Sequence, residues 1–211
     1  MKNHLGQKTP AQVQQDWIRI QAKQILGAGY AEFRVDSFQI FENITDKITE
    51  LSCEITRTGD RCEKVTFRSV GVGVVDAFFC GMKSLLQEEC LSLEGIKFHS
   101  FSAQALIDRR KRDSRSNSGV KCQLTVLNSR KQECIFEVED FSMTAAGVGV
   151  VKNLIEYFVN VEHAVLRLHA AVKDAQKRNR PDLEVSFTNQ LVELVKATDY
   201  EESIARATSV A

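Results

Sequence analysis

Gly71-Val72-Gly73-Val74-Val75 recurs unchanged as Gly147-Val148-Gly149-Val150-Val151, 76 residues further along the chain. Its surroundings recur too. Upstream, Leu51-Ser52-Cys53-Glu54-Ile55-Thr56 matches Val120-Lys121-Cys122-Gln123-Leu124-Thr125 at an offset of 69. Further upstream, Asp36-Ser37-Phe38 matches His99-Ser100-Phe101 at an offset of 63. The order is common to both copies and only the gaps differ, which is the mark of an internal repeat.

Each copy reads as three strands and a helix. In the first, residues 33–40 and 51–57 alternate apolar and polar as half-buried strands do. Thr58-Gly59-Asp60 signals a turn, and residues 62–70 form a third strand. After Gly71 and Gly73, residues Val75, Phe78, Phe79, Met82 and Leu86 have the spacing of one helical face. In the second copy the strands are 96–107, 119–126 and 134–138. A long helix is expected over 150–177, with Leu154, Ile155, Phe158, Val161, Val165 and Leu168 as its stripe. Thr9-Pro10 reads as the cap and first position of another helix. Val13, Trp17, Ile20 and Ile25 line one apolar face of it, and Gly27 and Gly29 stop it. Arg180-Pro181 ends the long helix, and Phe187, Leu191, Leu194 and Val195 predict a short last one. The expected fold class is therefore α+β: a duplicated β-β-β-α unit with pseudo-twofold symmetry, flanked by an N-terminal and a short C-terminal helix. The expected division is 1–30 as a helical extension, 31–178 as the two repeats (31–90 and 95–178), and 179–211 as a tail.

Composition narrows the function classes. The 211 residues carry 28 Lys and Arg against 28 Asp and Glu, so no global field favours nucleic acid or an anionic membrane. No apolar stretch approaches the ~20 residues of a membrane span, and residues 1–15 lack the apolar core of a secretory signal. A cytoplasmic protein is expected. The six cysteines (53, 62, 80, 90, 122, 134) form no C-x-x-C pair, and the four histidines complete no zinc pattern. Reduced thiols serving partly as small core residues are expected. No G-x-x-x-x-G-K-[ST] or G-x-G-x-x-G is present, so no nucleotide cofactor is expected. No catalytic motif appears either. The basic run 108–119 lacks interleaved aromatic residues, which argues against a base-stacking surface.

The glycine pairs are the candidate site. A Gly-x-Gly between strand and helix lets the backbone turn tightly and approach a ligand. The first N–H groups of the helix then suit an anion such as a carboxylate. Asp76 follows the first pair and is placed to balance the helix dipole or to meet an ammonium group. Lys152 stands at the corresponding place after the second pair, where the dipole does not favour it; it either has a carboxylate nearby or has no role.

These residues resemble a known domain. Gly71-Val72-Gly73-Val74-Val75-Asp76-Ala77 is similar to the G-x-G-P-x-D-A motif in the C-terminal regulatory domain of α-isopropylmalate synthases and citramalate synthases, with Val74 in place of proline. Phe98-His99-Ser100-Phe101-Ser102-Ala103-Gln104-Ala105 resembles that family's L-x-D-Y-x-V-x-A strand, with Ser100 and Phe101 for Asp and Tyr. Gly119 precedes the next strand as in the family, and Gly147 and Gly149 resemble its second glycine-bearing turn. The resemblance spans residues 33–172 and implies a fold of two β-β-β-α units. It also implies a homodimer that binds leucine or isoleucine as a feedback effector near the helix starts. Carried over by position, the effector site would comprise Gly71, Gly73, Val75, Asp76, Phe101, Ala105, Gly147 and Gly149. The family's catalytic barrel is missing from the sequence, so the expectation is a free-standing, non-catalytic module modulating a separately encoded synthase. The alternative is a dimeric scaffold that has lost the effector and docks a partner enzyme through the helix at 9–26.

Overall fold

The computed structural model describes residues 8–59, 61–106 and 119–195. Helix α1 (Pro10–Leu26) starts as its sequence dictates. The Thr9 hydroxyl accepts from Gln12 N–H, the Gln12 side chain accepts from Thr9 N–H, and Pro10 takes the first helical position. Such a reciprocal box removes two unpaired donors from the helix start. Three strands follow, β1 (Glu32–Asn43), β2 (Ile48–Thr58) and β3 (Glu63–Gly71), then helix α2 (Val74–Leu86). The second set is β4 (Lys97–Leu106), β5 (Gly119–Leu127) and β6 (Glu133–Asp140), then α3 (Met143–Lys177). Helix α4 (Pro181–Val195) closes the described chain.

Each set of strands is its own antiparallel sheet, ordered β1-β2-β3 and β4-β5-β6. The duplicated β-β-β-α plan is thus present in full. It extends to an irregularity: the β1–β2 register skips at Asp36 and the β4–β5 register skips at His99. These are the residues aligned by the offset of 63, and a bulge at one place in both sheets is a feature a family of copies keeps.

The core is built from one face of each sheet. Leu51, Cys53 and Ile55 of β2 and Cys122, Leu124 and Val126 of β5 are buried. Phe78, Met82 and Leu86 of α2 and Leu154, Ile155, Phe158, Val161, Val165 and Leu168 of α3 cover them, as their periodicity predicts. Burial of each such side chain contributes roughly 1.5–3 kcal/mol. All six cysteines are free; Cys53, Cys90, Cys122 and Cys134 lie in the core, while Cys62 and Cys80 are exposed.

Helix α3 joins the two halves with polar groups inside its apolar stripe. Asn160 is fully buried, and its amide exchanges two 2.7 Å hydrogen bonds with the Ala31 backbone, as a neighbouring strand would. Glu156 accepts from Phe33 N–H at 2.7 Å. Glu162, buried, accepts from Leu91 N–H, Ser92 N–H and the Cys90 thiol, between the two repeats. Arg167 donates to Leu26 O at the end of α1. At the opposite side Gln15 of α1 exchanges hydrogen bonds with the Ile135 backbone, covering part of the β6 edge.

Two sequence expectations are corrected. Helix α3 begins at Met143, not near residue 150, because the Ser142 hydroxyl accepts from Ala145 N–H and starts it earlier. Gly147, Gly149 and Lys152 therefore lie inside a helix rather than at its entrance. In α1 the buried face is Ile18, Ala22 and Leu26, whereas Val13, Trp17 and Ile20 are 56%, 41% and 54% exposed. Both stripes have helical spacing; α3 packs against the one with the smaller residues, where Ala22 lets the helices approach.

Candidate functional site

The start of α2 is the point where strand, helix and the second repeat converge. Gly71 ends β3 in a position with no room for a side chain: a Cβ there would lie 2.4 Å from Ala77 N and 2.7 Å from an Asp76 oxygen. Gly73 caps α2 in an extended conformation that any residue adopts, and a Cβ there would meet nothing within 4 Å, so neither backbone nor packing requires glycine. No side chain caps the first turn through this position. Asp76 instead accepts from Val72 N–H at 3.0 Å, bringing one carboxylate against the turn. That favours the helix dipole and fills one donor of the turn. Ser69 ties β3 to the helix by donating to Ala77 O at 2.7 Å.

Val75 points across to the second repeat. A Cβ on Gly147 would stand 3.2 Å from Val75 Cγ2, so the missing side chain at Gly147 is what lets α2 and α3 come together. Gly149 faces elsewhere: its Cβ would stand 3.1 Å from Val138 Cγ1 of β6. Lys152 pairs with Glu156 one turn on, at 3.2 Å; a nearby carboxylate is there, but in mid-helix.

Phe101 and Ala105 lie on β4, opposite Leu124 and Val120 of β5. Directly opposed residues share a sheet face, so both lie on the face that carries Leu124 and Cys122. Phe98 of the same face meets Phe79 of α2 with ring centroids 4.8 Å apart. Phe98, Phe101, Ala103 and Ala105 thus make an apolar floor on one face of β4, which touches α2 through Phe98. It is open: every residue of β4 is exposed, Phe101 by 41%. Near the ends of strands β1–β3 and β6, Phe41, Ile48, Val70, Val72, Phe141 and Met143 are all exposed. On the outer face of the first sheet a cleft of about 580 Å³ is lined by Phe41, Glu50, Arg68 and Val70 among others.

Of the eight residues singled out from the sequence, the structure brings Gly71, Gly73, Val75, Asp76 and Gly147 to one junction. It sets Phe101 and Ala105 on the β4 floor, and turns Gly149 toward β6. The basic run lies outside the described residues except for Gly119. Among the described residues no group of three His, Cys, Asp or Glu side chains could hold a metal ion. No described helix is long and apolar enough to cross a membrane.

The residues that position this junction were not singled out. Asn160 and Glu162 anchor α3 to the start of β1 and to the connection between repeats. Their only signal in the sequence is polarity inside the stripe Val159-Asn160-Val161-Glu162. Nearby, the buried Cys90 thiol is pushed well up by burial and by the Glu162 carboxylate. It is a hydrogen-bond donor in the core rather than a nucleophile.

No protein-family model matches the chain, and no curated protein matches it.

Proposed function

We propose that this protein is a cytoplasmic, non-catalytic regulatory module of the kind found at the C-terminus of α-isopropylmalate and citramalate synthases. It works as a homodimer, binds a branched-chain amino acid such as leucine or isoleucine, and modulates a separate synthase. The observation that supports this reading best is the duplicated β-β-β-α plan, with Gly71, Asp76 and Gly147 meeting at the α2 start and an exposed apolar face on β4. In this reading the effector carboxylate meets the uncapped first turn of α2, its ammonium group meets Asp76, and its side chain rests on Phe101 and Ala105. Covering one branched side chain is worth roughly 1.5–3 kcal/mol. A second copy of the chain closes the floor; β4 is an edge strand exposed along its whole length, and such edges are normally covered.

The test is thermal unfolding against a panel of amino acids. A ligand at a hundred times its dissociation constant adds ~2.7 kcal/mol, a shift of several degrees. A selective shift with leucine or isoleucine that Phe101→Ala removes supports the reading; a flat panel refutes it.

A second reading has its own support. The exposed stripe Val13, Trp17, Ile20 on α1 suits a scaffold that docks a partner enzyme through this helix. Trp17→Glu would then abolish partner capture while leaving unfolding unchanged. If the variant captures the partner like the parent chain, the stripe has no such role.

A further inference from the structure

A second concavity lies away from the α2 start, between α1, the beginning of β1 and the middle of α3. It measures about 570 Å³, within the range of roughly 300–1,000 Å³ typical of small-molecule sites. Its floor is apolar and aromatic: Phe33 is 3% exposed, and Tyr30 and Ile20 flank it. Four cations line it from three separate elements. Arg19 and Lys23 stand one turn apart on α1, Arg34 is on β1 and Lys152 is on α3. Only two carboxylates, Glu32 and Glu156, share the wall.

Each of the four cations has a carboxylate neighbour, but Arg19, Lys23 and Arg34 are themselves at least half exposed, so their pairs can open to a ligand. Glu156 is committed: the same oxygen accepts from Phe33 N–H at 2.7 Å and from Lys152 at 3.2 Å. Lys23 and Glu32 pair at 3.2 Å with both side chains more than half exposed. Arg34 is held from outside the cleft by Asp36 at 2.7 Å. Arg19 reaches Asp16 only at 3.9 Å and makes no hydrogen bond among the described residues. Exposed pairs of this kind are worth about 0–1 kcal/mol, so Arg19, Lys23 and Arg34 can turn to a ligand at little cost. The Tyr30 hydroxyl likewise has no hydrogen-bond partner among the described residues. Burial, then the Glu156 charge, pushes its pKa up, so it stays a donor at neutral pH.

We propose that this cleft binds a small organic oxyanion carrying two negative charges, a phosphate ester or a dicarboxylate. Arg19 and Lys23 grip the charged end, Lys152 completes the positive wall, and the body of the ligand lies against Phe33 and Tyr30. The site is independent of the effector reading at α2.

The experiment is isothermal titration of the full chain with inorganic phosphate and, separately, with succinate, at matched ionic strength in chloride. The expected result is saturable binding of at least one probe, weakened roughly tenfold or more in the Arg19→Gln, Lys23→Gln double variant, since charge-assisted hydrogen bonds are the stronger kind. Phosphate alone binding assigns the site to phosphate esters; succinate alone assigns it to dicarboxylates. Arg178→Gln, an exposed arginine outside the cleft, is expected to bind as the parent does. The proposal is overturned if neither probe binds. Undiminished binding in the double variant, or equal loss in Arg178→Gln, overturns it as well. Phe101→Ala is expected to leave this binding intact, which separates its failure from that of the amino-acid site.

Discussion

The two identical pentapeptides take different structures. Residues 71–75 leave a strand, turn, and enter α2; residues 147–151 are already the second turn of α3. The difference comes from what precedes them. In the first copy no residue before Gly73 can start a helix earlier, because β3 is still pairing with Thr49 at Gly71. In the second, Ser142 starts the helix as soon as β6 ends at Asp140. The segment that truly corresponds to 71–73 is 140–142, at the same offset of 69 that the strands show. Five identical residues fix neither a turn nor a helix; their neighbours decide.

The largest expected effect strikes the element that unites the halves. Glu162→Leu leaves the half-buried N–H groups of Leu91 and Ser92 unpaired, and costs about 2–4 kcal/mol. Urea unfolding measures it; a loss below about 1 kcal/mol would show that the connection between repeats does not depend on this carboxylate.

The glycines come next and test the comparison directly. Gly71→Ala forces a Cβ against the backbone of Ala77 and is expected to cost about 3 kcal/mol, the upper end for overpacking. Gly147→Ala presses a Cβ to 3.2 Å from a Val75 methyl, so α2 must give by a few tenths of an ångström, while helix propensity gains about 1 kcal/mol. Its net effect is expected to lie within about 1 kcal/mol of zero. If the two substitutions cost the same, the pentapeptides are not the different structures described.

Phe101→Ala is expected to cost less, about 1–2 kcal/mol, because the residue is already 41% exposed, than the about 3–5 kcal/mol of Phe158→Ala in the core. Comparable losses would mean that β4 is covered in solution.

The smallest effect is on reactivity alone. Burial pushes Cys134 up to about 12, and burial with the Asp36 charge pushes Cys53 up to about 11. A thiol reagent at pH 8 is expected to label Cys62 and Cys80 and to spare the four buried cysteines. Burial and the Asp76 charge raise the Cys80 pKa, so less thiolate exists at a given pH and the labelling rate rises further into alkaline solution. Asp76→Asn should move that rise to lower pH; an unchanged profile would mean that Asp76 does not face the thiol.

Strands and helix stripes were legible in the sequence because burial on one face leaves a period of two or of 3.6. Leu51 to Ile55 and Leu154 to Leu168 were read correctly for that reason. The Thr9 cap was legible because it is local. The buried face of α1 was not: Val13, Trp17 and Ile20 are as periodic as Ile18, Ala22 and Leu26, and only the packing partner chooses between them. The start of α3 was missed because an identical pentapeptide outweighed a single serine. At the candidate site the junction of Gly71 with Asp76 was visible as a motif. The contact of Val75 with Gly147 was not, since it joins residues far apart in the chain. Asn160 and Glu162 were invisible for the same reason, as their partners are 129 and about 70 residues away.

Helix α3, about 52 Å long at 1.5 Å per residue, has a consequence for how the protein is born. It supplies Asn160, which the start of β1 needs, and Glu162, which the connection after α2 needs. At about 5–20 residues per second, ribosomes finish the first repeat several seconds before α3 is made. During that interval Phe78, Met82 and the edge of β1 wait without their cover. The apolar surface of the first repeat is therefore covered only when the second half of the chain has been translated.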